Sequence, residues 1–263
     1  MMRGSAARRR VVAAVGVAAV LALVDACGTA GGGGAGGGAK PGSGVSTGTA
    51  SQQASGAPAS AGGKGLDQKA LDRLALSAPD VPGYGVTTVS GKGSPVDHDS
   101  LTTYRAVTPA QCRPVYAAAQ LGSLHDFTAQ VAQDVVSDSD SMGQHASVSL
   151  ASYTRADAGT VMTELRAALG KCTTADMRPS DALPGAGLGY SGARPRSVSG
   201  YGDEALAFDA SQVVVDGGAG PEIPVTVLVV RQGSTIATFL SLNPIQPPAI
   251  PQDVLDAQLK KLA

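Results

Sequence analysis

Residues 28–65 are almost entirely Gly, Ala, Ser and Thr. A stretch with so few sizeable apolar side chains cannot bury enough surface to offset its own chain entropy. A packed domain must therefore begin after it, and whatever precedes it is a separate unit. As a flexible chain the tract has an r.m.s. span of about 35 Å and stretches to roughly 130 Å. It reads as a tether.

The segment before the tether has the layout of an export signal. Arg3, Arg8, Arg9 and Arg10 form a positive start, and residues 11–24 form an apolar run that ends in small residues and Cys27. The run is shorter than the roughly 20 apolar residues that span a bilayer. Val24, Ala26 and Cys27 fit a lipoprotein signal, in which the cysteine becomes the lipidated first residue of the mature chain; Asp25 does not fit. The same residues also pass as an A-x-A-like cleavage site that releases a soluble protein. The adjacent arginines leave both general secretion and twin-arginine export open. Lipidation at Cys27 is the preferred reading, because a cysteine here is otherwise unexplained in so cysteine-poor a chain. It makes a membrane the first partner and puts the protein on the outer face of the cell membrane. The expected organisation is a signal peptide over residues 1–26, a lipidated cysteine and linker over 27–65, and one domain over 66–263.

That last part is long enough for a substantial core. Of the 20 basic and 21 acidic residues of the chain, Arg3, Arg8, Arg9, Arg10 and Asp25 lie before Cys27, which leaves 16 against 20 and a net charge of −4. An acidic domain without a basic stripe excludes nucleic acid as the expected partner. The absence of Trp and the 3% aromatic content argue against an aromatic platform for sugars or nucleotides.

Residue patterns predict a helix over 66–76 and a strand over 84–90. They predict a second helix from Thr108, as N-cap, and Pro109, as first residue, to about residue 119. Alternating apolar residues at Phe127, Ala129 and Val131, and again at Ala146, Val148 and Leu150, predict a hairpin with its turn in 138–143. Ala158, Val161, Met162, Leu165, Ala168 and Leu169 mark one face of a helix over 155–169 that stops at Gly170. Residues 222–230 and 235–242, joined by Gln232-Gly233-Ser234, predict another hairpin, and an amphipathic helix over 253–262 closes the chain. Strands in adjacent hairpins predict an α+β fold, an antiparallel twisted sheet packed with helices.

Cys112 and Cys172 are the other two cysteines. In an oxidising compartment an even pair reads most simply as a disulfide, which would stabilise by about 4 kcal/mol in the chain-entropy account. A redox-active pair is the alternative, but neither cysteine lies in a C-x-x-C.

No catalytic constellation emerges. Gly187-Leu188-Gly189-Tyr190-Ser191-Gly192 matches G-x-G-x-x-G, but Pro184 and Pro195 flank it where a dinucleotide site needs a strand and a helix, so it reads as a loop. Asp138-x-Asp140-x-x-Gly143 resembles the start of a calcium loop, but Met142 and Ser149 stand where ligands are needed, so it reads as a turn. His98, His125 and His145 lie at no metal-ligand spacing, and Asp97-His98-Asp99 reads as a solvated loop. There is no G-x-S-x-G. Asp203 and Glu204, adjacent on a strand, would point to opposite faces and make a poor acid/base couple. No catalytic residue, metal or cofactor is expected, and no ligand-binding residue can be named.

Val107-Thr108-Pro109-Ala110-Gln111-Cys112, then Leu169-Gly170-Lys171-Cys172, then Tyr201-Gly202-Asp203-Glu204-Ala205 and two late strands before a closing helix carry a family resemblance. Over residues 66–263 the chain resembles the extracellular sensor domain of mycobacterial PknH-type kinases and related actinobacterial lipoproteins. The resemblance implies an antiparallel sheet with helices, a disulfide brace and a cleft suspected of binding a ligand. Family members commonly carry a second bridge, and this chain has no cysteine after Cys172. No kinase domain is read in it either, so sensing is expected to be relayed by a partner or not to occur.

Two non-enzymatic functions follow as expectations: a binding or sensing lipoprotein with a small ligand, or an interaction protein of the cell envelope. A cell-wall hydrolase ranks below both for want of a nucleophile set. A concave apolar pocket favours the first and a large exposed apolar patch the second. The anchor itself is testable: Cys27→Ala should release the protein into the medium, whereas a variant that still partitions with membranes into the detergent phase would exclude the lipid anchor.

Overall fold

The computed structural model describes residues 63–90, 103–139, 145–179, 188–214, 221–244 and 248–263. The signal, Cys27, most of the tether and His98 with its neighbours lie outside the described residues. Eight strands form one sheet: β1 (Tyr84–Ser90), β2 (Ala129–Ser137), β3 (His145–Ser152), β4 (Asp176–Met177), β5 (Leu188–Arg196), β6 (Glu204–Val214), β7 (Ile223–Gln232) and β8 (Thr235–Leu242). Their order is β1-β2-β3-β8-β7-β6-β5-β4, and each neighbouring pair is antiparallel. The α-helices whose bounds are described are α1 (Gln68–Leu74), α2 (Arg113–Ala119), α3 (Arg155–Leu169) and α4 (Gln252–Leu262), and residues 103–105 are also helical. The expected α+β architecture with an antiparallel sheet is therefore the one found.

The helices divide between the two faces of the sheet. In β7 and β8, Val225, Val227, Val229, Ile236 and Leu240 join a core with Val115 and Ala118 of α2 and Met162 and Leu165 of α3. The intervening Leu228, Val230, Ala237 and Phe239 join a second core with Leu71 of α1 and Val254 and Leu255 of α4. Side chains on a strand alternate between faces. A hairpin with apolar residues on both faces is thus one covered on both sides, which antiparallel sheets with one wet face do not need.

β2 is less evenly covered. Val131 and Val135 enter the second core, while Gln130 and Asp134 face the first side. Gln133 also turns toward the second core and is 2% exposed. Its carboxamide donates to the Leu76 carbonyl at 2.8 Å and accepts from the Leu76 amide at 2.8 Å. The fork satisfies both backbone groups where the chain leaves α1, so the amide is buried without the cost of a lost hydrogen bond.

Local signals set most boundaries. Asp67 caps α1 by accepting from the Ala70 amide, and Thr154 caps α3 by accepting from the Asp157 amide. Gly170 caps the end of α3 at φ −66°, so its left-handed freedom is not what stops the helix. The Gln232-Gly233-Ser234 connection holds Gly233 at φ +62°, as hairpin turns demand.

Three expectations are corrected. The second helix begins at Arg113, not Pro109, and a short 3-10 turn over Ala110–Cys112 precedes it. Thr108 is unavailable as an N-cap because it bridges to Arg178 through both of its backbone groups, at 2.9 and 3.1 Å. Residues 188–192 of the glycine motif form part of strand β5 rather than a loop, with Gly192 at φ +63° where the register with β6 shifts. Strand β6 follows with no sequence expectation behind it. The 138–143 turn lies partly outside the described residues.

Cys112 and Cys172 form a disulfide with a Cα–Cα separation of 5.8 Å, and both are fully buried. It ties the start of α2 to the end of α3.

The C-terminal helix is tied back by charge. Lys261 Nζ donates to Asp80 Oδ2 at 2.7 Å, and the Ser77 hydroxyl and amide donate to the same oxygen at 2.6 and 2.8 Å. The Lys261 bond, then those from Ser77, hold the Asp80 carboxyl well below its usual range, at about 2. A depressed carboxylate pKa adds stability that is present above the unfolded value, near 4, and lost as pH falls through the folded one. The pair is partly exposed, so Asp80→Asn should cost about 1 kcal/mol or less at neutral pH. Denaturant melts should show the gap to wild type closing between about pH 4 and pH 2; a gap that is constant across that window would mean the carboxylate charge plays no part.

Candidate functional site

The site begins at the C-terminus of α2. The Leu121 amide donates to the Ala118 carbonyl at 3.0 Å and the Gly122 amide to the Ala117 carbonyl at 2.8 Å. These are the two bonds of a Schellman ending, which places the residue after the cap in the left-handed region. That residue is Leu121, at φ +59°, not a glycine, and the conformation costs about 1–2 kcal/mol for a side-chain-bearing residue. The glycine is needed one position later, because a Cβ on Gly122 would lie 2.9 Å from the Tyr104 ring. Leu121 in turn packs on the first core, and its carbonyl accepts from Gln130 Nε2 at 3.3 Å. Gln130 also donates to Ser149 Oγ at 3.0 Å, while its own Oε1 has no protein partner among the described residues.

The chain that continues from Leu121 stands opposite α3, and an apolar cleft lies between them, with a volume of about 20 Å³, room for about one water-sized sphere. Pro114 and Ala118 of α2 close one side, with Leu121 and Leu124 of the following segment. Val161 and Leu165 of α3 form the other. The floor is the first face of the sheet, at Ala151, Val229, Ile236 and Thr238.

Few polar groups enter this lining. Ser123 Oγ and Tyr153 OH are 2.9 Å apart, and both residues are buried. Ser123 Oγ also accepts from the His125 amide at 3.2 Å and can donate to the His125 carbonyl at 3.1 Å, so the serine shapes the segment as well as the cleft. Burial pushes the Tyr153 hydroxyl up to about 12, against a smaller opposing effect of the Ser123 bond. It is therefore a neutral phenol at any ordinary pH. At the rim, His125 Nε2 meets Glu164 Oε2 at 2.8 Å, with side-chain exposures of 26% and 41%. The pair links the segment to α3 where the cleft meets solvent.

A second concavity lies on the opposite face, beside Val198, Tyr201, Ile250 and Leu255. It is broader and more open, with about 260 Å³ against about 20 Å³ for the cleft beside α3. Its one charged group, Arg196, already lies 3.3 Å from Asp209 and 3.5 Å from Thr226 Oγ1. Thr226 donates to Asp209 at 2.6 Å. Open to solvent and internally paired, this surface is the weaker candidate.

The adjacent carboxylates are placed differently from expectation. Instead of diverging, Asp203 and Glu204 converge on Arg231, whose Nη1 and Nε reach them at 3.1 and 3.3 Å. Glu204 also pairs with Arg166 of α3. Asp203 precedes β6, and Gly202 at φ +55° turns the chain before it, with no room for a Cβ against Val230 and Arg231. The carboxylates brace the β7–β8 turn, where Asp203 also accepts from the Gly233 amide at 2.8 Å. His145 lies 3.5 Å from Asp134 on a separate part of the sheet. Among the described residues no three His, Cys, Asp or Glu side chains group as metal ligands, and no helix is long and apolar enough to cross a membrane.

No known protein family and no curated protein matches this chain. Among solved structures, the extracellular domain of PknH from Mycobacterium tuberculosis is similar, with a TM-score of 0.45 and 12% identity over 76% of this chain and 97% of that one.

The hydroxyl pair yields a signed prediction. Ser123→Ala leaves the Tyr153 hydroxyl buried without a partner and should cost about 1–3 kcal/mol, whereas Tyr153→Phe leaves Ser123 bonded to His125 and should cost about 1 kcal/mol or less. The double variant should be little worse than Ser123→Ala alone. Chemical denaturation of the three variants checks this, and the reverse order would mean that Tyr153 has a partner other than Ser123.

Proposed function

We propose that this protein is an extracytoplasmic, membrane-anchored lipoprotein whose domain is a non-enzymatic binding or sensing module for a small ligand, with the cleft between residues 121–125 and α3 as its site. The observation that carries the reading is the character of the lining: concave, mostly apolar, with a few convergent polar groups, as small-molecule sites are lined. The buried disulfide agrees with an oxidising compartment. The signal-like segment ending at Cys27 and the tether through residue 65 supply the anchor and the stand-off, with the domain beginning near residue 66.

The competing reading, a docking protein of the envelope, needs a broad apolar surface. The large apolar side chains exposed among the described residues are Val89, Val136 and Leu188. Val89 and Val136 lie on β1 and β2 and Leu188 on β5, near opposite edges of the sheet, so they do not make one patch.

Thermal-shift measurements with envelope lipids, sugars and peptidoglycan fragments test the proposal. A ligand present at a hundred times its Kd adds about 2.7 kcal/mol, which for a domain of this size raises Tm by roughly 5–10 °C. Val161→Trp, which fills the cleft from α3, should abolish the rise. If none of the compounds moves Tm, or if the rise survives Val161→Trp, the cleft is not a ligand site.

A further inference from the structure

We infer that the open concavity on the second face of the sheet is a separate site for a small amphiphile with one carboxylate, its head on Arg196 and its hydrocarbon against Val198, Leu228, Ile250 and Leu255. The inference does not depend on the cleft beside α3.

Room is the first observation. The concavity holds about 260 Å³, close to the lower end of the roughly 300–1,000 Å³ of small-molecule sites. Ala207 of β6 and Leu228 of β7 lie at its base and are buried. Val198 and Tyr201 of the β5–β6 connection and Ile250 before α4 complete it, and these three are only half-buried. They leave apolar surface that a hydrocarbon would take out of water.

Charge is the second. Arg196 is the charged residue of the lining, and only its Nη1 is engaged, by Asp209 at 3.3 Å and Thr226 Oγ1 at 3.5 Å. Its Nε and Nη2 have no partner among the described residues. Those two donors form the fork that takes both oxygens of a carboxylate. Asp209 is outside the lining; its Oδ1 accepts from Thr226 at 2.6 Å as well as from Arg196, so it steadies the guanidinium. Arg194 stands opposite Asp209 in register, exposed, with no ion-pair partner among the described residues. Residues two apart on a strand share a face, so Arg194 adds a second positive charge beside the concavity. The acidic residues at the start of α4 are engaged elsewhere: Asp253 acts on Tyr84 of β1, and Asp256 accepts from Gln252 at 2.7 Å. The charge that a ligand meets is therefore positive. Asp209, on the same guanidinium, opposes a second negative charge, which favours a carboxylate over a phosphate dianion.

Exposure fits the same chemistry. The Arg196 side chain is 50% exposed, so an ionised head keeps its contact with water and loses little solvation there. Openness to solvent disfavours a wholly apolar ligand and suits one with a wet end.

The probes are octanoate, octan-1-ol, octylamine and octyl phosphate, added separately to methyl-labelled full-length chain carrying Cys27→Ala and followed by methyl NMR. Octanoate should shift the methyl signals of Val198, Leu228, Ile250 and Leu255 and leave those of Val161, Leu165 and Ile236, in the cleft beside α3, in place. At low ionic strength it should bind about fivefold more tightly than octan-1-ol, the worth of a well-aligned exposed ion pair, and added salt should shrink the margin. Octylamine and octyl phosphate should bind more weakly than octanoate. Arg196→Gln should erase the preference for octanoate over octan-1-ol while octan-1-ol binding is kept. Ala249→Trp, at an exposed position of the lining, should weaken both. The proposal is overturned if octylamine or octyl phosphate binds best, if octanoate and octan-1-ol bind equally, or if the preference survives Arg196→Gln. It is also overturned if Ala249→Trp leaves both affinities unchanged, if the shifts fall on Val161, Leu165 and Ile236 instead, or if no probe shifts any of these methyls.

Discussion

The fold depends on the β7–β8 hairpin being apolar on both faces. Val225, Val227, Val229, Ile236 and Leu240 on one side, and Leu228, Val230, Ala237 and Phe239 on the other, all lose their contact with water. Full burial of such side chains contributes about 1.5–3 kcal/mol each, and leaving either face open would forfeit that side's share. Helices must therefore cover both faces at the centre of the sheet. The outer strands are held less tightly to this rule, which is why Gln130, Asp134 and Ser147 can appear on β2 and β3.

The cleft follows from how the first face is covered. α2 is short, and after it the chain continues without helix or strand to β2. An irregular segment cannot fill the space beside α3 as closely as a helix would. What it does instead is organise itself through its own bonds: the Schellman ending at Leu121, the Ser123 hydroxyl on both backbone groups of His125, and the His125 ring on Glu164. The strained Leu121 is held in place by demands on either side, Tyr104 against Gly122 and Gln130 on the Leu121 carbonyl. Backbone strain of this kind persists only where its surroundings over-determine it.

What the sequence reveals and hides follows the range of the interactions. Helix α3 is legible to the residue because its cap, Thr154, and its apolar period are local. The β7–β8 hairpin is legible because β-branched residues surround an obvious turn. Strands β5 and β6 are hidden, since Gly189, Gly192, Ala193, Ala205, Ala207 and Ala210 give no strong strand signal and Pro195 argues against one. The start of α2 is displaced by Arg178, which is distant in sequence and claims the backbone of Thr108. The site is the least legible part. Ser123 and Tyr153 are 30 residues apart, and His125 and Glu164 are 39 apart. Nothing in either local context marks them, and only the register of β3 and the angle of α3 bring them together. The cysteine pair was readable because composition alone nominated it.

The disulfide has a mechanical consequence for the cleft. Cys112 immediately precedes α2 and Cys172 follows α3, so the two walls share a covalent joint at one end. Between them the helices pack through the first core, and beyond it His125 and Glu164 make a partly exposed side-chain contact of the kind that contributes about 1 kcal/mol or less. The cystine keeps the start of α2 beside the end of α3 even where the weaker histidine–glutamate contact is lost.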